Sequence, residues 1–130
     1  MQAVSEDLAS KFEEFRAACR NAIPKVDLHL VIDLLQRKYK EPNKDPLYTI
    51  EVFTTERVDP EYARQYIISY TGNAPAIYDR GTHYVTNQRL NLDVLKMISD
   101  KDNVKQIKGY YSGEFASIGP ASDVDSRDHY

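Results

Sequence analysis

Tryptophan is absent from this chain, cysteine occurs once, and only five glycines and six prolines interrupt its 130 residues. The lone Cys19 excludes an intramolecular disulfide and any zinc or iron–sulfur site built from cysteines. No apolar run approaches the ~20 residues of a membrane span. The opening MQAVSEDLASKFEEF lacks the basic-then-apolar order of a secretory leader. A polybasic surface is missing too, since the net charge is −3. These shortages lead to the expectation of a soluble, cytoplasmic, reduced protein with no membrane partner.

What is present suits a packed domain: 42% hydrophobic and 28% charged residues, in a chain long enough to bury a core. Ten tyrosines stand out, because Tyr suits sites with one buried and one wet end, such as sheet faces and interfaces. The charge is unevenly placed. Residues 1–46 and 47–113 are each neutral, and residues 114–130 hold Arg127 against Glu114, Asp123, Asp125 and Asp128. That last segment is expected to be a disordered, acidic tail.

Val4, Leu8, Phe12, Phe15, Cys19 and Ile23 recur at steps of three and four, which predicts an amphipathic helix over 5–23. Residues 26–39 carry two rhythms. Val26, Leu28 and Leu30 alternate as in a strand, while Leu28, Val31, Ile32, Leu35 and Tyr39 keep helical spacing. Length favours the helix, and the pair is expected to form an αα-hairpin. The stretch KEPNKDP, 40–46, then reads as a linker.

Beyond it the pattern becomes strand, helix, hairpin, helix, strand. LYTIEVFT alternates, Asp59-Pro60-Glu61 opens a helix, and Asp79-Arg80-Gly81 turns a hairpin. Asn91 caps a short helix over 92–99, and VKQIKGYYS closes the series, with Gly109 marking a bulge or a close backbone approach. The order predicts an α+β, ferredoxin-like βαββαβ antiparallel sheet over 47–113, preceded by the helical hairpin and linker of 1–46. Two helices would cover one sheet face, and the N-terminal hairpin or a second copy would cover the other.

Chemistry is thinly marked. The densest polar and aromatic patch is the hairpin, where Tyr78, Asp79, Arg80, His83 and Tyr84 are the candidate binding residues. His83 and Tyr84 must point to opposite sheet faces. The segment IPKVDLHL, 23–30, resembles the metal-binding first strand of adenosine deaminase-type hydrolases, which would imply a metal at His29. The second histidine of that motif is missing here, and those barrels need about 250 residues. No metal or other cofactor is therefore expected. Arg80, Gly81, Tyr84 and Val85 resemble the third-strand signature of the RNA recognition motif, and Leu47 with Tyr48 its first-strand signature. Thr82, His83 and Asn87 depart from it. That resemblance implies RNA or single-stranded nucleic acid binding through the sheet face.

Three functions follow. The leading one is a small binding or regulatory module, a homodimer working through its sheet face or edge on an unidentified small ligand or protein partner. The alternatives are nucleic acid binding, and a small enzyme or ligand pocket around Arg80, His83 and Tyr84.

Overall fold

The structure is a computed structural model and describes residues 2–113. The expected acidic tail lies outside these residues. Four helices and four strands follow in the order α1 (Gln2–Ala22), α2 (Leu28–Lys40), β1 (Leu47–Thr54), α3 (Pro60–Thr71), β2 (Ala76–Tyr78), β3 (His83–Arg89), α4 (Leu92–Ser99) and β4 (Val104–Tyr111). The sheet runs β2-β3-β1-β4, and each neighbouring pair is antiparallel. Among the described residues, no helix is long and apolar enough to cross a membrane.

Alternation within β1 sets the two faces. Register places Tyr48, Ile50 and Val52 beside Gln88, Thr86 and Tyr84 of β3, and beside Tyr111, Gly109 and Ile107 of β4. This is the core face. Ile67 of α3, with Leu95 and Ile98 of α4, joins it in one buried cluster. Both helices start as their sequences require. The Asp59 carboxylate accepts the Tyr62 amide at 2.9 Å with Pro60 in the first turn, and the Asn91 side chain accepts the Val94 amide at 2.9 Å.

Gly109 supplies the close approach. A Cβ there would sit 2.8 Å from the Thr49 carbonyl oxygen and 2.9 Å from the Ile50 side chain, so only glycine lets β4 lie flat on β1. The irregularity in the β1–β4 ladder falls elsewhere, between Phe53 and Thr54.

The first 46 residues depart from the expected hairpin. Leu30 and Leu34 of α2 are buried in the same cluster as Ile50 and Val52, and the Tyr48 hydroxyl donates to Asp33. Thus α2 is a third helix on the core face and does not cover the opposite one. Its extended approach explains the double rhythm of 26–39. Lys25 and Asp27 exchange backbone bonds with Ile107 at 2.9 Å, so Val26 forms a parallel bridge along the outer edge of β4 before Leu28 begins the helix. That excursion separates the two helices. The apolar stripe of α1 is not laid on α2, and Val4, Leu8 and Phe12 are 62%, 64% and 46% exposed.

Candidate functional site

Two places gather chemically capable side chains, and they differ in how far those groups already satisfy one another. The first is the hairpin. Tyr78 and His83 pair across β2 and β3 on the second sheet face, with Glu51 and Phe53 of β1 alongside. Both imidazole nitrogens face carboxylates, Nε2 at 2.9 Å from Glu51 and Nδ1 at 3.2 Å from Asp79. The ring stacks on Phe53 at 4.3 Å, and Tyr78 lies 5.4 Å away.

The turn between the strands needs such a clamp. Asp79, Arg80 and Gly81 all have positive φ, at 52°, 60° and 95°. Left-handed backbone costs a non-glycine residue roughly 1–2 kcal/mol, least for Asp. Asp79 offsets this through its carboxylate on His83 and its carbonyl, which accepts from the Thr82 hydroxyl at 2.9 Å. Gly81 is fixed differently, because a Cβ would meet the Val58 carbonyl oxygen at 2.8 Å. The sequence thus places Tyr78, Asp79 and His83 together. Tyr84 lies on the core face, 6% exposed, and burial holds its hydroxyl pKa up at about 12. Arg80 stands exposed at the turn.

The two rings implied by the resemblance to the RNA recognition motif, Tyr48 and Tyr84, are both buried on that core face. His29 is exposed on α2, and no group of three or more His, Cys, Asp or Glu among the described residues is arranged to hold a metal ion.

The second place is a cleft at the end of the sheet where β1 starts and β3 and β4 finish. It encloses about 590 Å³ and is lined by Arg37, Lys40, Lys44, Arg89, Glu41, Asp45 and Tyr111, among others. Its wall is the stretch that reads as a linker, folded into a pinned loop. The Lys38 ammonium donates to the carbonyls of Pro42 at 3.1 Å and Lys44 at 2.8 Å, and to the Asp45 carboxylate at 2.8 Å. Asn91 donates to the other Asp45 oxygen at 3.0 Å. These donors, Lys38 first, hold the Asp45 carboxyl below its ordinary pKa.

Arg37 is held on two sides. Its Nε donates to Asp33 at 3.0 Å, and its guanidinium carbon lies 3.5 Å above the centre of the Tyr111 ring. Burial opposes its charge, but the interactions with Asp33 outweigh burial and the guanidinium pKa moves up. Tyr48, which shares Asp33, has its own pKa pushed up, first by burial and then by that carboxylate. Sequence reasoning missed this cleft because its members come from three separate stretches, 37–46, Arg89 and Tyr111. The one available signal was the excess of Lys and Arg over 37–44.

The spare tyrosines find a structural use. Tyr62, Tyr66 and Tyr70 form a ladder along α3 with ring centres 6.2 and 5.2 Å apart. The Lys101 ammonium lies 4.2 Å from the Tyr66 ring and bonds its hydroxyl. Comparison of the chain with protein-family models, with curated proteins and with solved structures returned no match.

Proposed function

We propose that this chain is a small, homodimeric binding module of ferredoxin-like plan that holds an oxyanion-bearing small molecule in the cleft at the end of its sheet. The ferredoxin-like reading is supported by the strand order and by the two crossover helices, α3 and α4, on one face. The observation that carries the functional reading is the cleft itself. Arg37, Lys40, Lys44 and Arg89 line it against Glu41 and Asp45, a surplus of two positive charges in a chain of net charge −3. Its volume falls within the roughly 300–1,000 Å³ usual for small-molecule sites.

The acids in the cleft are engaged. Asp45 is taken by Lys38 and Asn91, and Glu41 lies 3.6 Å from Lys44. Arg37 lines the space with its plane already fixed, so less ordering is needed when it meets a ligand. At the hairpin the acids are engaged as well, but by His83 itself, whose two ring nitrogens both face carboxylates. The sheet edges offer little to a partner strand. Val26 occupies part of the β4 edge, and β2 is three residues long. Cations around an aromatic ring suit anion capture, which supports a binding reading.

Titration of the full chain with inorganic pyrophosphate, followed by backbone amide shifts, tests it. Saturable shifts at Lys40, Asn43 and Lys44, weakened by salt and lost in the Lys40→Gln, Lys44→Gln double variant, are expected. Absent shifts, or shifts scattered over the surface, would overturn the reading.

A further inference from the structure

Alternation in β3 turns Tyr84 inward, where its ring joins the core cluster with Ile67 of α3. A phenol carries a hydroxyl into that setting, and buried hydroxyls ordinarily find a partner. Tyr48, the other core tyrosine of the sheet, donates its own to Asp33. Tyr84 is 6% exposed, yet among the described residues its hydroxyl has no hydrogen bond. It lines instead a pocket of about 240 Å³.

This pocket lies at the end of the sheet opposite the cleft, where β1 finishes and β3 and β4 begin. Its apolar side is held in place. Val58, whose amide donates to the Gly81 carbonyl at 2.8 Å, lines it together with Ala63 and Ile67 of α3. The rings of Tyr62 and Tyr66 border it, 6.2 Å apart and within 9° of parallel. Its polar side is Lys101, the one charged residue among those described that line it. The Lys101 carbonyl accepts from the Lys25 ammonium at 2.9 Å and from the Val104 amide at 3.1 Å, which fixes the backbone. Its ammonium bonds the Tyr66 hydroxyl and keeps two further N–H donors. Among the described residues no carboxylate forms an ion pair with it, and the adjacent Asp100 is taken by Lys96 at 3.1 Å. The Tyr66 hydroxyl also lies near enough to that of Tyr84 to add to burial in raising its pKa. Two phenols and an ammonium therefore border one small space.

We infer that this pocket is a second binding site, for a carboxylate carried on a single aromatic ring. The ring lies among Val58, Ala63, Ile67 and Tyr62, and the carboxylate accepts from Lys101 and from the Tyr84 hydroxyl. Size and charge choose this class. A dry cavity of roughly 150 Å³ already holds benzene, so the space admits one ring with a small polar group. An ammonium without a carboxylate, beside a hydroxyl without an acceptor, calls for an anion that takes both bonds. The site is independent of the cleft.

Titration of the full chain with benzoate, followed by backbone amide shifts, tests it. Saturable shifts at Ala63, Ile67, Lys101 and Asn103 are expected, unchanged by saturating pyrophosphate. Benzamide, with the same ring and no charge, should bind about tenfold more weakly or worse, as should benzoate to Lys101→Met. Acetate, with the charge and no ring, should give no saturable shift at these amides. Tyr84→Phe separates ligand contact from structure. Removing a hydroxyl that has no partner should leave urea unfolding at neutral pH unchanged or slightly strengthened, yet weaken benzoate roughly three- to tenfold. Absent shifts, shifts confined to 37–46, or equal binding of benzamide and benzoate would overturn the proposal. Undiminished benzoate binding by Tyr84→Phe or by Lys101→Met would overturn it too.

Discussion

Leu34 and Leu8 sit on helices of similar amphipathic pattern and meet opposite fates. Leu34 is fully buried between α2 and the sheet, while Leu8 is 64% exposed on α1. The difference lies in what precedes each helix. Residues 25–27 run along β4 and deliver α2 onto the core face, whereas α1 stands before that anchor, and along its first half its apolar stripe is exposed among the described residues. An apolar stripe, then, specifies that something must be covered. The connection decides whether the cover comes from the same chain.

The sharpest break in that comparison is a matched pair of truncations. Leu34→Ala should cost about 2–5 kcal/mol in urea unfolding, the range for a buried leucine in a closed core. Leu8→Ala should leave the unfolding of the body unchanged, because Leu8 is exposed. Equal losses at both sites would mean that α1 packs within its own chain.

Alkaline pH probes the body alone. Tyr84 is held neutral by burial, with its folded pKa at about 12 above an ordinary value of 10.0. A group raised in this way contributes stability that is complete below pH 10 and is lost as pH rises towards 12. The melting temperature should therefore fall steeply over that window, and Tyr84→Phe should flatten the fall. An unchanged slope in the variant would remove Tyr84 from the effect.

A smaller effect is expected at the hairpin. Arg80→Gly relieves a left-handed backbone at φ 60° and should raise stability by about 0.5–1 kcal/mol, measured by the same unfolding curves. A loss would mean that the Arg80 side chain holds the turn together. The mildest test concerns the cleft wall. Lys38→Met removes three donated bonds from the 41–46 loop and should speed amide exchange at Lys44 while leaving β1 protected.

Local rules made much of this legible. Alternation in LYTIEVFT set the faces of β1, and the Asp59 and Asn91 caps fixed where α3 and α4 begin. The mixed helix-and-sheet class followed, with a four-stranded antiparallel sheet. What stayed hidden depends on distant pairings. Lys38 reads as one more charge beside a polar stretch until its ammonium is seen gathering the carbonyls of Pro42 and Lys44. The cleft needs Arg37, Arg89 and Tyr111 to meet, and no local period announces that meeting. The strand-like start of α2 was visible as alternation at Val26 and Leu28, but its partner, Ile107, lies some eighty residues away.

Hydrogen exchange on the full chain tests the central contrast most directly. Amides of β1, β3 and β4 should be strongly protected, while those of the first half of α1 should exchange far faster. Protection of the first half of α1 equal to that of β1 would contradict the account.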